Sequence, residues 1–127
     1  MPDGVWKINT EVNTSNAIGG TLTAYGTCRI DSTRMFHLYL SGTTQVYGVI
    51  ASLSGDTITY GTPFLIATVA SAGSGGCAYL TTSTIVVAWR DSANQTPNIT
   101  FNSAIVTYSG TTISSVGTTH VTSVAVG

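Results

Sequence analysis

Thr84-Ile85-Val86-Val87-Ala88-Trp89 is a six-residue run in which five residues are apolar and most are β-branched or aromatic. Such side chains suit a pleated strand better than a helix, where branched carbons lose rotamer freedom. The run is short and shows no polar alternation, so it reads as a central strand covered on both faces. The chain around it repeats the strand signature. Met35–Leu40 is bounded by polar turns. Val46–Leu53 runs into Ser54-Gly55-Asp56, and Ala104–Tyr108 runs into Ser109-Gly110, both hairpin signals. Thr57–Tyr60 alternates polar and apolar residues, the period of a half-buried strand. Phe64–Ala67 follows Pro63, which suits an edge strand or a crossover. Val121–Val126 alternates in part. No window carries a 3.6-residue apolar period with caps. The expected fold is all-β.

The strands belong to a repeat. Gly19-Gly20-Thr21-Leu22-Thr23-Ala24-Tyr25-Gly26-Thr27 aligns without a gap on Gly110-Thr111-Thr112-Ile113-Ser114-Ser115-Val116-Gly117-Thr118. Gly55–Thr62 is the same phrase, one residue shorter. Gly48–Gly55 also aligns with Ser103–Gly110. These alignments predict a single domain over 1–127, with antiparallel hairpin units at about 28–76 and 77–127 and a partial unit at 1–27. Gly19–Thr27 reads as the closing strand of that partial unit, and the glycine-rich Ala72–Gly76 as the linker between the full units. A repeated unit usually cannot bury its apolar face without a neighbour, which favours a scaffold or a binding surface over an enzyme.

Composition narrows the function. Only 7% of the 127 residues are charged, against about 25% in typical soluble domains, while 43% are apolar. Thr, Ser and Gly fill the polar positions. Such a surface suits burial against neighbouring protein, or a neutral polar ligand such as a sugar, and gives weak electrostatic protection against self-association. The four cations Lys7, Arg29, Arg34 and Arg90 are scattered and the net charge is −1. Nucleic acid binding needs a basic cluster, so none is expected. No apolar stretch reaches the roughly 20 residues of a membrane helix, and no membrane partner is expected. Met1-Pro2-Asp3-Gly4 lacks the basic start and apolar core of a secretory signal, so a secreted protein would need its signal already removed, whereas one assembled inside a host cell and released by lysis would need none. Cys28 and Cys77 begin similar segments. They read as small buried residues at equivalent repeat positions, as a disulfide, or as a reactive thiol.

Val87-Ala88-Trp89-Arg90-Asp91 and Ser54-Gly55-Asp56-Thr57-Ile58-Thr59-Tyr60-Gly61-Thr62-Pro63 together resemble repeats of bacteriophage virion proteins, notably tail-fibre-like ones. Those repeats pair a strand ending in Arg-Asp with a Ser-Gly-Thr-Thr hairpin and are similar to β-propeller blades. The likeness covers about residues 46–118. The earlier unit departs from it, with Leu38-Tyr39-Leu40-Ser41 where the Arg-Asp pair would stand. The resemblance implies a non-enzymatic structural subunit of the virion that decorates a capsid or builds a tail or fibre. Its partners would be identical subunits and other virion proteins, and it would need no cofactor. Two and a fraction units cannot close a ring of four to eight blades. Either several chains share a ring, or the hairpins pack as a small sandwich or barrel.

Candidate chemistry is sparse. No Gly-x-Ser-x-Gly elbow accompanies the Ser, His and Asp residues. His37, His120, Cys28 and Cys77 lack metal-ligand spacing, so no metal is expected. The five acids Asp3, Glu11, Asp31, Asp56 and Asp91 offer few pairs for glycoside hydrolysis, and Asp56 sits in a turn that favours Asp for backbone reasons. One patch could bind a ligand. Trp89, Arg90 and Asp91, with Asn94 in the adjoining loop, combine an aromatic face, a charged pair and an amide, the elements of a sugar site. That patch carries the alternative function, a lectin-like module in an oligomeric ring that binds host-surface glycans. The competing reading places Trp89 in the core and lets the Arg-Asp pair pin the strand end.

Overall fold

The computed structural model describes residues 22–70, 72–91 and 98–125. Ten strands occupy them: β1 (Leu22–Arg29), β2 (Arg34–Ser41), β3 (Gln45–Ser54), β4 (Thr57–Tyr60), β5 (Phe64–Thr68), β6 (Ala72–Thr81), β7 (Thr84–Asp91), β8 (Asn98–Ser109), β9 (Thr112–Val116) and β10 (His120–Ala125). No helix occurs among the described residues. The protein is all-β, as its β-branched runs and hairpin signals require.

The strands form two antiparallel sheets of the same design. In the first, β1, β2 and β3 follow one another, and β4 and β5 share the far side of β3. In the second, β6, β7 and β8 follow one another, and β9 and β10 share the far side of β8. Hairpin turns close both centres through glycines in the left-handed region, Gly55 at φ 59° and Gly110 at φ 60°. Only glycine adopts that conformation at no steric cost, so the repeated Ser-Gly is a turn requirement.

The strand assignment moves two boundaries predicted from sequence. Among the described residues Leu22–Arg29 is the first strand of a sheet, paired along its length with β2, where the sequence reads it as the close of a partial unit. The part of the partial unit before residue 22 lies outside the described residues. The Ala72–Gly76 stretch is the start of β6, with Gly75 paired to Trp89 and Gly76 to Ala88. β6 also faces β1 across the molecule, where a β-carbon on Gly26 would stand at ordinary contact distance, 3.4 Å, from Gly76 Cα.

One core joins the sheets. Phe36, Leu38, Val46 and Ile50 of the first meet Ile85, Val87, Trp89 and Val106 of the second, all within 2% of complete burial. Pairing registers give the relation between the layers. Met35 pairs with Ala51 and Phe36 with Ile50 in the first sheet; Ile85 pairs with Val106 and Val86 with Ile105 in the second. These are counterpart pairs, yet they face opposite ways. Phe36 and Ile50 point into the core, while Val86 and Ile105 point away from it. Ile85 and Val106 point into the core, while Met35 and Ala51 point away. The sheets are therefore stacked the same way round, front to back, and are not related as mirror-like halves about a twofold axis.

Two sequence expectations are corrected by this register. Strand β7 is covered on one face only: Ile85, Val87 and Trp89 are buried, while Ala88 is exposed and Val86 half-buried. The cysteines are not at equivalent positions. Cys28 pairs with Phe36, so its counterpart is Ala78, which pairs with Val86. Cys77 pairs with Val87, the counterpart of His37, whose partner is Thr27. A one-residue slip reverses the face a side chain occupies. That slip turns both cysteines toward the space between the sheets.

Candidate functional site

The β1–β2 turn builds the densest polar cluster among the described residues. Asp31 Oδ1 accepts from the Thr33 and Arg34 backbone N–H groups at 2.9 Å each. This is the local Asp turn that the short carboxylate favours. Asp31 Oδ2 accepts from Arg34 Nε at 2.9 Å and Nη2 at 2.7 Å. Hydrogen bonds from the Arg34 guanidinium, then from the Thr33 N–H, hold the Asp31 carboxyl down to about 2. With its geometry fixed, Arg34 donates Nη1–H to the Gly110 carbonyl of the other sheet at 2.8 Å and lies 5.8 Å from the Tyr108 ring centre. The cluster clamps one sheet to the turn of the other.

Beside it, a cavity of about 340 Å³ opens on the outward face of the first sheet, floored by Met35, His37, Ala51, Leu53, Ile58 and Tyr60. His37 and Tyr60 meet with ring centres 6.0 Å apart, and Tyr39 stacks on Tyr47 at 5.6 Å. Burial pushes His37 below and Tyr39 above their ordinary values, so both are neutral near pH 7. Tyr39, Val49 and Ala51 are buried here outside the main core, while Met35, Leu53 and Ile58 remain 40–45% exposed. The face is apolar and aromatic, suited to protein contact. Asp31 and Arg34 on its rim hold each other, which leaves neither arranged for acid–base work.

The sugar patch expected from sequence is divided by strand alternation. Trp89 faces the core at 2% exposure, and its indole N–H has no hydrogen-bond partner among the described residues. Arg90 points to the opposite face, its stem over Gly73. Asp91 ends β7, and Asn94 lies outside the described residues. A second depression, about 240 Å³, runs along Ser74, Gly75, Gly76, Ala88, Trp89 and Phe101. Phe101, 45% exposed, is missed by sequence reasoning; its place opposite Arg90 comes from pairing in β8, which carries no local signal.

Cys28 and Cys77 meet between the sheets. The Cys77 thiol donates to Cys28 sulfur, which lowers Cys28 below the ordinary thiol value and raises Cys77 above it. Both are free thiols. Among the described residues no group of three or more His, Cys, Asp or Glu side chains could hold a metal ion.

Neither a family model, a curated protein nor a solved structure matches this chain.

Proposed function

We propose that the chain is a non-enzymatic structural subunit of a bacteriophage particle, a capsid decoration or a tail or fibre component, and that it acts by packing. The observation that carries this reading is the front-to-back stacking of two like sheets. Such stacking supports the blade-like reading of the repeats, and it leaves two unlike outward faces, both bearing exposed apolar side chains. A unit of that kind is made to be stacked. The low charge and the likeness of the Trp-Arg-Asp and Ser-Gly-Asp-Thr segments to virion repeats support the same reading. The test is proteomic. Phage particles whose genome carries this reading frame are purified on a density gradient, and the peptides of this chain are quantified. A fixed ratio to other virion proteins supports the proposal; absence from intact particles overturns it.

The depression beside Phe101 favours a second reading, a lectin-like module. An exposed aromatic face beside a glycine floor is shaped to stack on a sugar ring. A glycan array decides it. Binding lost in a folded Phe101→Ala variant would support this reading, and no binding to any glycan would remove it.

A further inference from the structure

The registers that make the sheets alike also assign each outward face a counterpart that is already buried inside the molecule. On the outward face of the first sheet, Met35, Tyr39, Val49, Leu53 and Ile58 stand where the second sheet has Ile85, Trp89, Ala104, Tyr108 and Ile113. The latter five all belong to the core between the sheets. On the outward face of the second sheet, Val86, Ala88, Phe101 and Ile105 stand where the first sheet has Phe36, Leu38, Val46 and Ile50, again core residues. The two outward faces thus carry the register counterparts of the two faces that meet in the core. Apolar side chains are exposed at one end of the first-sheet face, Met35, Leu53 and Ile58 at 40–45%, while Tyr39 and Val49 of that face are already buried; on the second-sheet face Phe101 is 45% and Ile105 37% exposed. Two positions depart from the pattern, Arg90 where the first sheet buries Leu40 and His37 where the second sheet buries Val87.

Resting on the packing role proposed above, we infer that the outward face of the first sheet binds the outward face of the second sheet of another copy of this chain. The contact is heterologous. Each copy offers one face of each kind, and neither face meets its own kind, because the internal interface joins unlike faces. The cavity beside Leu53 and Ile58 is where the second copy seats. It occupies the level at which, inside the molecule, Arg34 of the first sheet reaches Tyr108 and Gly110 of the second. The residues that a second copy brings to that level follow from the same registers. Thr84 stands where Arg34 does, and Val86 where Phe36 does. Val86 and Ala88, on the outward side of β7, are covered in this contact. Cover over the exposed apolar side chains on each face also explains why so low a charge density is tolerated.

The experiment uses two variants of the full chain, each altered at an exposed position. Leu53→Lys blocks the first-sheet face, and Ile105→Lys blocks the second-sheet face. Circular dichroism and thermal melts establish that both fold. Mass is then read by light scattering over a concentration series. The wild-type chain is expected to form multimers, and each variant alone to be a monomer. An equimolar mixture of the two variants is expected to give a species of twice the chain mass and no larger, because each retains the one face the other lacks. A monomeric wild type at all concentrations overturns the inference, as does a variant that assembles like wild type or a mixture that stays monomeric. A monomeric wild-type chain that is still found in purified particles would sink this contact and leave the structural-subunit role standing. A chain that assembles in this way but is absent from particles would do the reverse.

Discussion

Arg34 of the first sheet donates Nη1–H to the Gly110 carbonyl of the second at 2.8 Å, while Asp31 holds the other side of the guanidinium. The acceptor belongs to a glycine at φ 60°, so the turn that closes one sheet is the anchor for the other. Replacing Arg34 with Met keeps the stem and removes both the clamp and the partner of Asp31. A charge-assisted bond is worth more than a neutral one, but this side chain is partly exposed. Arg34→Met is expected to cost about 1–2 kcal/mol in urea unfolding. Gly110→Ala, which forces a β-carbon into the left-handed region, is expected to cost about as much, roughly 1–2 kcal/mol.

Asp31 makes the same clamp pH-dependent. Its carboxyl sits at about 2 in the folded chain against an ordinary 3.8. A depressed carboxylate stabilises fully above its unfolded value, and that contribution is lost as pH falls through the folded value. The urea midpoint of the wild type should therefore decline between about pH 4 and pH 2, and Asp31→Asn should flatten that decline. His37 acts in a separate, higher window. Burial lowers it from 6.5, so the unfolded chain takes up the proton first and stability falls as pH drops below that value. His37→Gln should remove this upper slope and leave the lower one.

How far these features can be read from sequence depends on whether they are local. The strands, the Ser-Gly turns and the doubling of the unit are legible, because alternation, β-branching and left-handed glycines act within a few residues. The role of β1 is not, since a strand that opens a sheet and one that closes it have the same composition. The Ala72–Gly76 glycines read as a linker because what makes them strand, their pairing with Trp89 and Ala88, lies in β7 and not in the stretch itself. Trp89-Arg90-Asp91 forms one patch in the linear sequence, but the two-residue period of a strand sends Trp89 to the core and Arg90 to the far face. The Arg34–Gly110 contact leaves no trace in the sequence at all.

Cys28 and Cys77 are hydrogen-bonded across the sheets, with Cys28 the more readily ionised. Oxidised glutathione supplies the chemistry. The Cys28 thiolate attacks its disulfide and releases one glutathione; Cys77, once deprotonated, then displaces the second and leaves an intramolecular bond. A cross-link closing a loop of roughly 50 residues is expected to stabilise by up to roughly 4 kcal/mol on the chain-entropy account. Thermal melting of the oxidised chain should rise, return on reduction, and not change in Cys28→Ser. A glutathione-treated wild type that retains two titratable thiols would show that the sulfurs cannot reach bonding distance.

Glycine positions separate contact between the sheets from flexibility within them. A β-carbon on Gly61 would overlap the Thr111 carbonyl of the opposite sheet, and Gly61 N–H is already fixed to the Ile50 carbonyl at 2.8 Å. Backbone on both sides leaves nothing to rotate away, so the sheets must separate locally. Gly76 lies in β6, where an added β-carbon would meet nothing within 4 Å. Gly61→Ala is therefore expected to destabilise by about 1–3 kcal/mol, the usual range for overpacking. Gly76→Ala is expected to stay within about 0.5 kcal/mol of wild type. Equal melting temperatures for the two variants would mean that the Gly61–Thr111 approach is not tight in solution. A larger loss at Gly61 would place the close contact between the layers at the Gly61–Thr111 approach and not at β6.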